Sequence, residues 1–448
     1  MSQSAQQCDI LLQDVRFLTP DIRIAEHQDI AIRNGKIEAV CEHGARSFQA
    51  AETFAGNGLL WMPGLTDGHI HTSQQFLRGR LLDVKPVIWK KVNVPFESRL
   101  REETSRLSAR LAAYEMLSAG TTAFVDAGSR YPEILAEEYE QIGMRGRVTV
   151  MTNDNPHAPE SLRTTSVEEG VRRFREMKDA IHSELIGPMY SVTTPTAVSE
   201  AIYRRILEIA IEDDVPFETH LNEYASEVNE FVEIHGQRPF VWLEQEKLLP
   251  RRMLAAHAIF LSQQEIRILE EHKVRVIHCP FSNCGKGVPN TPELLDRGIA
   301  CGFGSDGAGH GGLDLFREMR LFSRVMQVSH GLNTADSTVM PAENILRMAT
   351  QNAAEALFMD YKGRVAEGEP ADLIAIDTEA PHLFMTQNLI HALVESACGQ
   401  DVKHSIIAGR TVMKNRELLT LDTEQLRYDI KKAADENPWL TNWIGTGR

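Results

Sequence analysis

The chain has 448 residues, 42% of them hydrophobic and 25% charged, which is more than one small domain needs and enough for a large buried core. With 47 basic against 63 acidic side chains its formal net charge is -16, which repels phosphate backbones and anionic lipid surfaces. Nucleic acid and membrane are therefore not expected partners, whereas a free base or nucleoside is not excluded. The opening MSQSAQQCDI has no basic stretch followed by an apolar one, and no run of about 18 apolar residues occurs, which predicts a cytoplasmic protein.

In chain order, the first stretch carries short alternating runs, DILLQDVRFLT, IAEHQDIAIRNGKIEAVC and NGLLWMPG, broken by the turn signals Asn34-Gly35 and Gly56-Asn57-Gly58. Similar runs return late, in ADLIAIDT and VKHSIIAGRTVMKNRELLTL with the turn Ala408-Gly409. Neither group closes a stable sheet alone, so residues 1–62 and 363–420 are expected to pair into one discontinuous β-sandwich domain.

Between them, over 63–362, apolar strand-like runs alternate with amphipathic helical runs such as EETSRLSARLAAYEMLSAG and AIYRRILEIAIEDD, the signature of a parallel sheet. The strand candidates in order are GLTDGHIH, TTAFVDAG, GRVTVMTN, IGPMYSV, VPFETH, MLAAHAI, VRVIHCP and IACGFGSD. Eight such units predict an α/β fold of the (β/α)8 TIM-barrel kind. Residues 421–448 read as a helical tail packed by Trp439 and Trp443. The six cysteines are scattered without a C-x-x-C pair, and Cys279 and Cys284 are expected to be buried structural thiols.

Polar residues fall at the C-terminal ends of these strands: His69, His71, Asp126, Asn153, His220, His257, His278 and Asp306. In a parallel barrel that is the catalytic face. His69 and His71, two apart on a strand, project from one face and can reach the same cation. His220 in ETHLNE can add a third nitrogen, and Glu223 can reach over from the following loop. Asp306 in GFGSDGAG lies beside glycines that permit a close approach of backbone to ligand. Three histidines and one carboxylate make a set suited to one Zn²⁺, with Fe²⁺ or Mn²⁺ tolerated.

The ordered set GLTDGHIHT, HLNEYASEVNEF, LAAHAIFLSQQEI, VIHCPFSN and GFGSDGAG resembles the cytosine deaminase and chlorohydrolase branch of the amidohydrolase superfamily, which includes guanine deaminases, S-adenosylhomocysteine deaminases and triazine hydrolases. The resemblance spans nearly the whole chain, including GRVAEGEPADLIAIDT near the second small-domain segment. It implies that His69, His71, His220 and Asp306 are metal ligands and that Glu223 and His257 are catalytic. The implied activity is a metal-dependent deaminase of a pterin, purine, pyrimidine or triazine, in which metal-bound hydroxide attacks and ammonia leaves. Glu223 would protonate the ring nitrogen, His257 orient the hydroxide, and Asp306 carry the water proton to the departing amine. A homo-oligomer is also implied.

Substrate contacts are less sharply drawn. Gln74 resembles a family position that hydrogen-bonds the heterocycle, and His310 in GAGHGG falls just after Asp306. His278 and Asn283 either line the face or serve as structural hydrogen-bonding groups, and Trp89 and Phe96 either stack on a planar ring or simply pack. The fourth strand, IGPMYSVTTPT, ends without Lys, Asp or Glu, which argues for one metal rather than two. The same segment lacks the P-H-x-P-Y-T pattern of adenosyl-nucleoside deaminases, which argues against nucleosides. Two rivals remain: a dechlorinase or dealkylaminase of triazine-like rings on the same site, and an inactive barrel acting as a binding protein.

Overall fold

The computed structural model describes residues 5–84 and 87–442. The first strands are β1 (Gln6–Leu18), β2 (Ile24–Arg33), β3 (Lys36–Glu42), β4 (Phe48–Ala55) and β5 (Leu59–Pro63). Asn34 and Gly35 take φ of 50° and 77° in the β2–β3 turn, the left-handed pair a tight hairpin requires. Late in the chain come β16 (Leu373–Asp377), β17 (Val402–Ile407), β18 (Arg410–Lys414) and β19 (Glu417–Leu418), with Ala408 and Gly409 turning between β17 and β18 at φ of 47° and 71°. All nine strands form one sheet, in which β5 pairs antiparallel with β16, Met62 opposite Ile374. Leu12, Val15, Ile30, Ile32, Trp61, Leu373 and Ile406 from both ends of the chain share a buried cluster.

The middle of the chain supplies β6 (Leu65–His71), β7 (Thr121–Asp126), β8 (Arg145–Val148), β9 (Ile186–Pro188), β10 (Tyr190–Val192), β11 (Phe217–Leu221), β12 (Met253–His257), β13 (Arg275–His278), β14 (Cys301–Phe303) and β15 (Asp306–Gly307). They form two parallel five-stranded sheets, β15-β6-β7-β8-β9 and β10-β11-β12-β13-β14. Only Met189 separates β9 from β10; its N–H bonds Val148 of the first sheet, while Tyr190 N bonds Pro216 beside the second. The run Cys301–Gly307 likewise pairs with β13 at one end and β6 at the other. Near-complete burial of these strands explains their apolar runs, since helices cover a parallel sheet on its outer face.

The helices follow from local chemistry. Glu200–Glu212 starts where Ser199 Oγ accepts from Ile202 N, and buries Ile202, Tyr203, Ile206, Leu207, Ile209 and Ala210 along one stripe. No helix among the described residues is long and apolar enough to cross a membrane. The tail contains the helix Thr423–Glu436, whose Leu426 and Ala433 join a cluster with Leu107. Trp439 packs 5.6 Å from the ring of Phe96, so Phe96 is fully buried packing rather than a ligand platform. Trp443 lies outside the described residues. Cys279 is buried as expected but Cys284 is exposed, because the one-turn helix Pro280–Asn283 ends just before it and turns it outward.

A buried ion pair ties the nine-stranded sheet to the parallel sheets. Arg145, at the start of β8, donates from Nε and Nη2 to Asp372 Oδ2 and Oδ1 at 2.6 and 3.1 Å. Asp372 Oδ1 also accepts from Ala408 N at 2.7 Å, and the Arg145 guanidinium stacks 5.2 Å from the Tyr361 ring. Asp372→Ala leaves the arginine buried and unpaired, and is expected to lower unfolding stability by about 3–5 kcal/mol in urea titrations. A loss below about 1 kcal/mol would contradict a structural role for the pair.

Candidate metal centre and active site

Four strand ends converge. His69 and His71 end β6, His220 lies on β11, His257 ends β12, and Asp306 begins β15. One donor atom each from His69, His220, His257 and Asp306 lie within 4.8 Å of one another. His71 Nε2 is 3.2 Å from His220 Nε2 and 3.2 Å from Asp306 Oδ1, and His69 Nε2 is 3.8 Å from the same oxygen. The whole predicted ligand set is thus together, with His257 beside it. His257 and Asp306 hold φ of 67° and 59°, left-handed conformations that a non-glycine residue keeps only when its surroundings enforce it.

The backbone is arranged to allow this closeness. Asp67 accepts from both Ser305 N (3.0 Å) and Ser305 Oγ (2.6 Å), fastening β6 to the residue before Asp306. A Cβ on Gly307 would stand 1.9 Å from Gln74 Oε1, so no other residue fits at that position without displacing Gln74.

The histidines are aimed by their outer nitrogens. Nδ1 of His69 bonds Glu218 Oε1 at 2.5 Å, Nδ1 of His220 bonds the Thr193 carbonyl at 2.6 Å, and Nδ1 of His257 bonds Asn283 Oδ1 at 2.9 Å. With Nδ1 donating outward, each Nε2 turns inward as a lone pair, the tautomer a metal ligand needs. Burial pushes His220 and His257 well below the ordinary imidazole range and His69 down to about 3, which keeps them neutral. His71 is also opposed by burial, but the hydrogen bond and charge of Asp306 raise it to about 9, so a cation here displaces a proton.

These residues fit a cation. His69 Nε2 and His257 Nε2 are buried with no hydrogen-bond partner, a costly state that a bound ion relieves. The 3.2 Å between the His71 and His220 nitrogens matches two ligands about 2.0–2.1 Å from one tetrahedral ion, which sit about 3.3 Å apart. The protein therefore has a site for one divalent metal ion.

The donors open into a cleft with the mixed polar and apolar lining of small-molecule sites. Of the predicted contacts, Glu223, Gln74, Trp89 and His310 line it. Gln74 donates to Glu97 Oε1 at 2.9 Å and accepts from Asn93 Nδ2 at 3.2 Å, so its amide orientation is set. His310 Nε2 stands 3.9 Å from Asp306 Oδ2. His278 and Asn283 do not line the cleft. Asn283 Oδ1 bonds His257 Nδ1 at 2.9 Å, and His278 Nδ1 bonds the His257 carbonyl at 2.9 Å.

Three residues escaped the sequence reading. Glu218, two before His220, orients His69 from behind. Glu97 lines the cleft and is buried, which pushes its carboxyl up. Lys286 lines the cleft with its Nζ 2.5 Å from Glu223 Oε1. Glu218 had a signal, the alternation in FETHL that places it on the same face as His220; Glu97 ends the one-turn helix Val94–Glu97 and Lys286 lies in a turn, with no periodicity to mark either.

A profile described as the Amidohydrolase family matches residues 60–412. A 5-methylthioadenosine/S-adenosylhomocysteine deaminase of Syntrophobacter fumaroxidans is 34% identical over 440 residues, covering 96% of this chain and 98% of its own. A 5'-deoxyadenosine deaminase of Methanosarcina acetivorans is 30% identical over 439 residues, with coverage of 96% and 98%. Among solved structures, an adenosine deaminase from Xanthomonas campestris with bound zinc matches with a TM-score of 0.90 at 28% identity, over 96% of this chain and 99% of that one.

Proposed function

The chain belongs to the amidohydrolase family and is a metal-dependent hydrolase of C–N bonds other than peptide bonds, and on that premise we propose that it is a zinc aminohydrolase releasing ammonia from an aminopurine or a related aminated heterocycle. The observation that carries this reading is the convergence of His69, His71, His220 and Asp306 beside Glu223 and His257 in one small-molecule cleft. Zinc is favoured by the nitrogen-rich donor set and by the zinc in the Xanthomonas relative. The names of the curated relatives favour an adenine ring, nucleosides included, over pterins and triazines. That outweighs the departure in SVTTPTAVS, whose Thr193 and Thr194 line the cleft where the nucleoside-deaminase pattern differs.

We also read the two parallel sheets as one closed eight-unit barrel, supported by the runs Ile186–Val192 and Cys301–Gly307 that take part in both. In this reading the nine-stranded sheet folds over its shared core as the composite small domain of 1–62 and 363–420, followed by the tail from 421.

A cation held by these donors supplies water acidified to a pKa of about 7, and hence a nucleophile at neutral pH. The residues do the rest. His257, fixed by Asn283, holds the water in line with the ring carbon bearing the amine. Asp306 accepts the water proton. Glu223 donates to the ring nitrogen as electrons move onto it; Asp306 then passes its proton to the amine, and as the C–N bond breaks and ammonia leaves, the added hydroxyl becomes the carbonyl and returns its proton to Glu223. Trp89 lines the cleft and gives part of its wall an apolar face.

The test is a product assay of the zinc-loaded protein on adenosine, methylthioadenosine, guanine, cytosine, a pterin, and chloro- and alkylamino-triazines. Ammonia from a purine is the expected result. Chloride or alkylamine release without ammonia would overturn the deaminase reading.

A further inference from the structure

Resting on that reading, we propose that Lys286 is a positioning residue for Glu223, holding Oε1 of the carboxylate so that Oε2 addresses the ring nitrogen. Lys286 Nζ lies 2.5 Å from Glu223 Oε1 and 2.5 Å from Ser282 Oγ, and 5.2 Å from the Tyr224 ring centroid. Its side chain is 5% exposed. Among the described lining residues of the cleft it is the one lysine, and none is arginine.

A glutamate in an open cleft has several rotamers, and only those aimed at the ring serve proton transfer. His257 Nε2 lies 3.7 Å from the same oxygen, beyond hydrogen-bond reach, so Lys286 is the group that holds Oε1. The ammonium is itself held on three sides, by Ser282, by the Tyr224 face and by Glu223, which makes it a rigid anchor rather than a mobile surface charge. The segment after β13 therefore carries two orienting groups: Asn283 for His257 and Lys286 for Glu223. They are linked, because Lys286 N donates to the Asn283 carbonyl at 2.8 Å. A purely structural ion pair would have no reason to lie on the cleft wall with one oxygen of the proposed proton donor.

The test is a double-mutant cycle on the zinc-loaded full chain, with a substrate whose turnover Glu223→Gln suppresses. Lys286→Met is expected to lower kcat by about 10- to 100-fold with KM within about twofold, and Lys286→Arg to restore part of the loss. In the Glu223→Gln background the same Lys286→Met change is expected to cost less than about threefold. Equal losses in both backgrounds, an effect confined to KM, or a crystal structure of Lys286→Met with the Glu223 carboxylate unmoved would overturn the inference. Failure of the functional reading is a separate result, seen as a parent enzyme without Glu223-dependent turnover.

Discussion

Stripping the divalent cation with a chelator is expected to abolish ammonia release, and one equivalent of Zn²⁺ per chain to restore it. Unassisted water has a pKa of 15.7 against about 7 for water on a suitable cation, so the supply of hydroxide at neutral pH falls by about 10⁸. No side chain in the cleft makes up such a factor, since a general base contributes about 10²–10⁴. The same treatment has a second readout. Without an ion, His69 Nε2 and His257 Nε2 are buried and unpartnered, and each such group costs about 1–3 kcal/mol. The thermal midpoint is therefore expected to drop with the metal and recover on its return. A protein that keeps full turnover with less than about 0.1 equivalent of any transition metal would remove the foundation of the proposed chemistry.

Much of this site can be read from the chain because parallel strands buried on both faces appear as apolar runs, and the polar residue that ends each run stands out. His69, His71, His220, His257 and Asp306 all belong to that class, and they meet. The same cue cannot tell a residue facing the cleft from one a layer behind it. His278 ends a strand just as His257 does, and Asn283 ends the helical turn that follows it, yet both bond His257 from behind. Loop residues are harder still. Lys286 reaches Glu223 only because the turn Pro280–Asn283 brings the chain back over the strand ends, and nothing in CGKGVPN encodes that path. The nine-stranded sheet was legible through its turns, Asn34-Gly35 and Ala408-Gly409, whereas the Arg145–Asp372 link joins positions that no periodicity relates.

Glu223→Gln is expected to lower kcat by about 10²–10⁴ while leaving metal content and KM nearly unchanged. The substitution keeps the volume of the side chain, and the amide oxygen can still accept from Lys286 Nζ, so the cleft wall and the donor set stay in place. What is lost is a transferable proton. A ring nitrogen that gains electron density as the nucleophile adds must be protonated in the same step, and an amide at neutral pH has no proton to transfer. Because Glu223 is not among the proposed ligands His69, His71, His220 and Asp306, zinc binding measured by metal analysis should match the parent. Asp306→Asn makes the contrast: it removes the one carboxylate of that group, so it is expected to lose metal and turnover together. If Glu223→Gln instead loses zinc in parallel with activity, Glu223 is a ligand and the proton-transfer assignment fails. If kcat falls less than about threefold, protonation of the ring must come from another group, and buried Glu97 and half-buried His310 are the candidates in the same cleft.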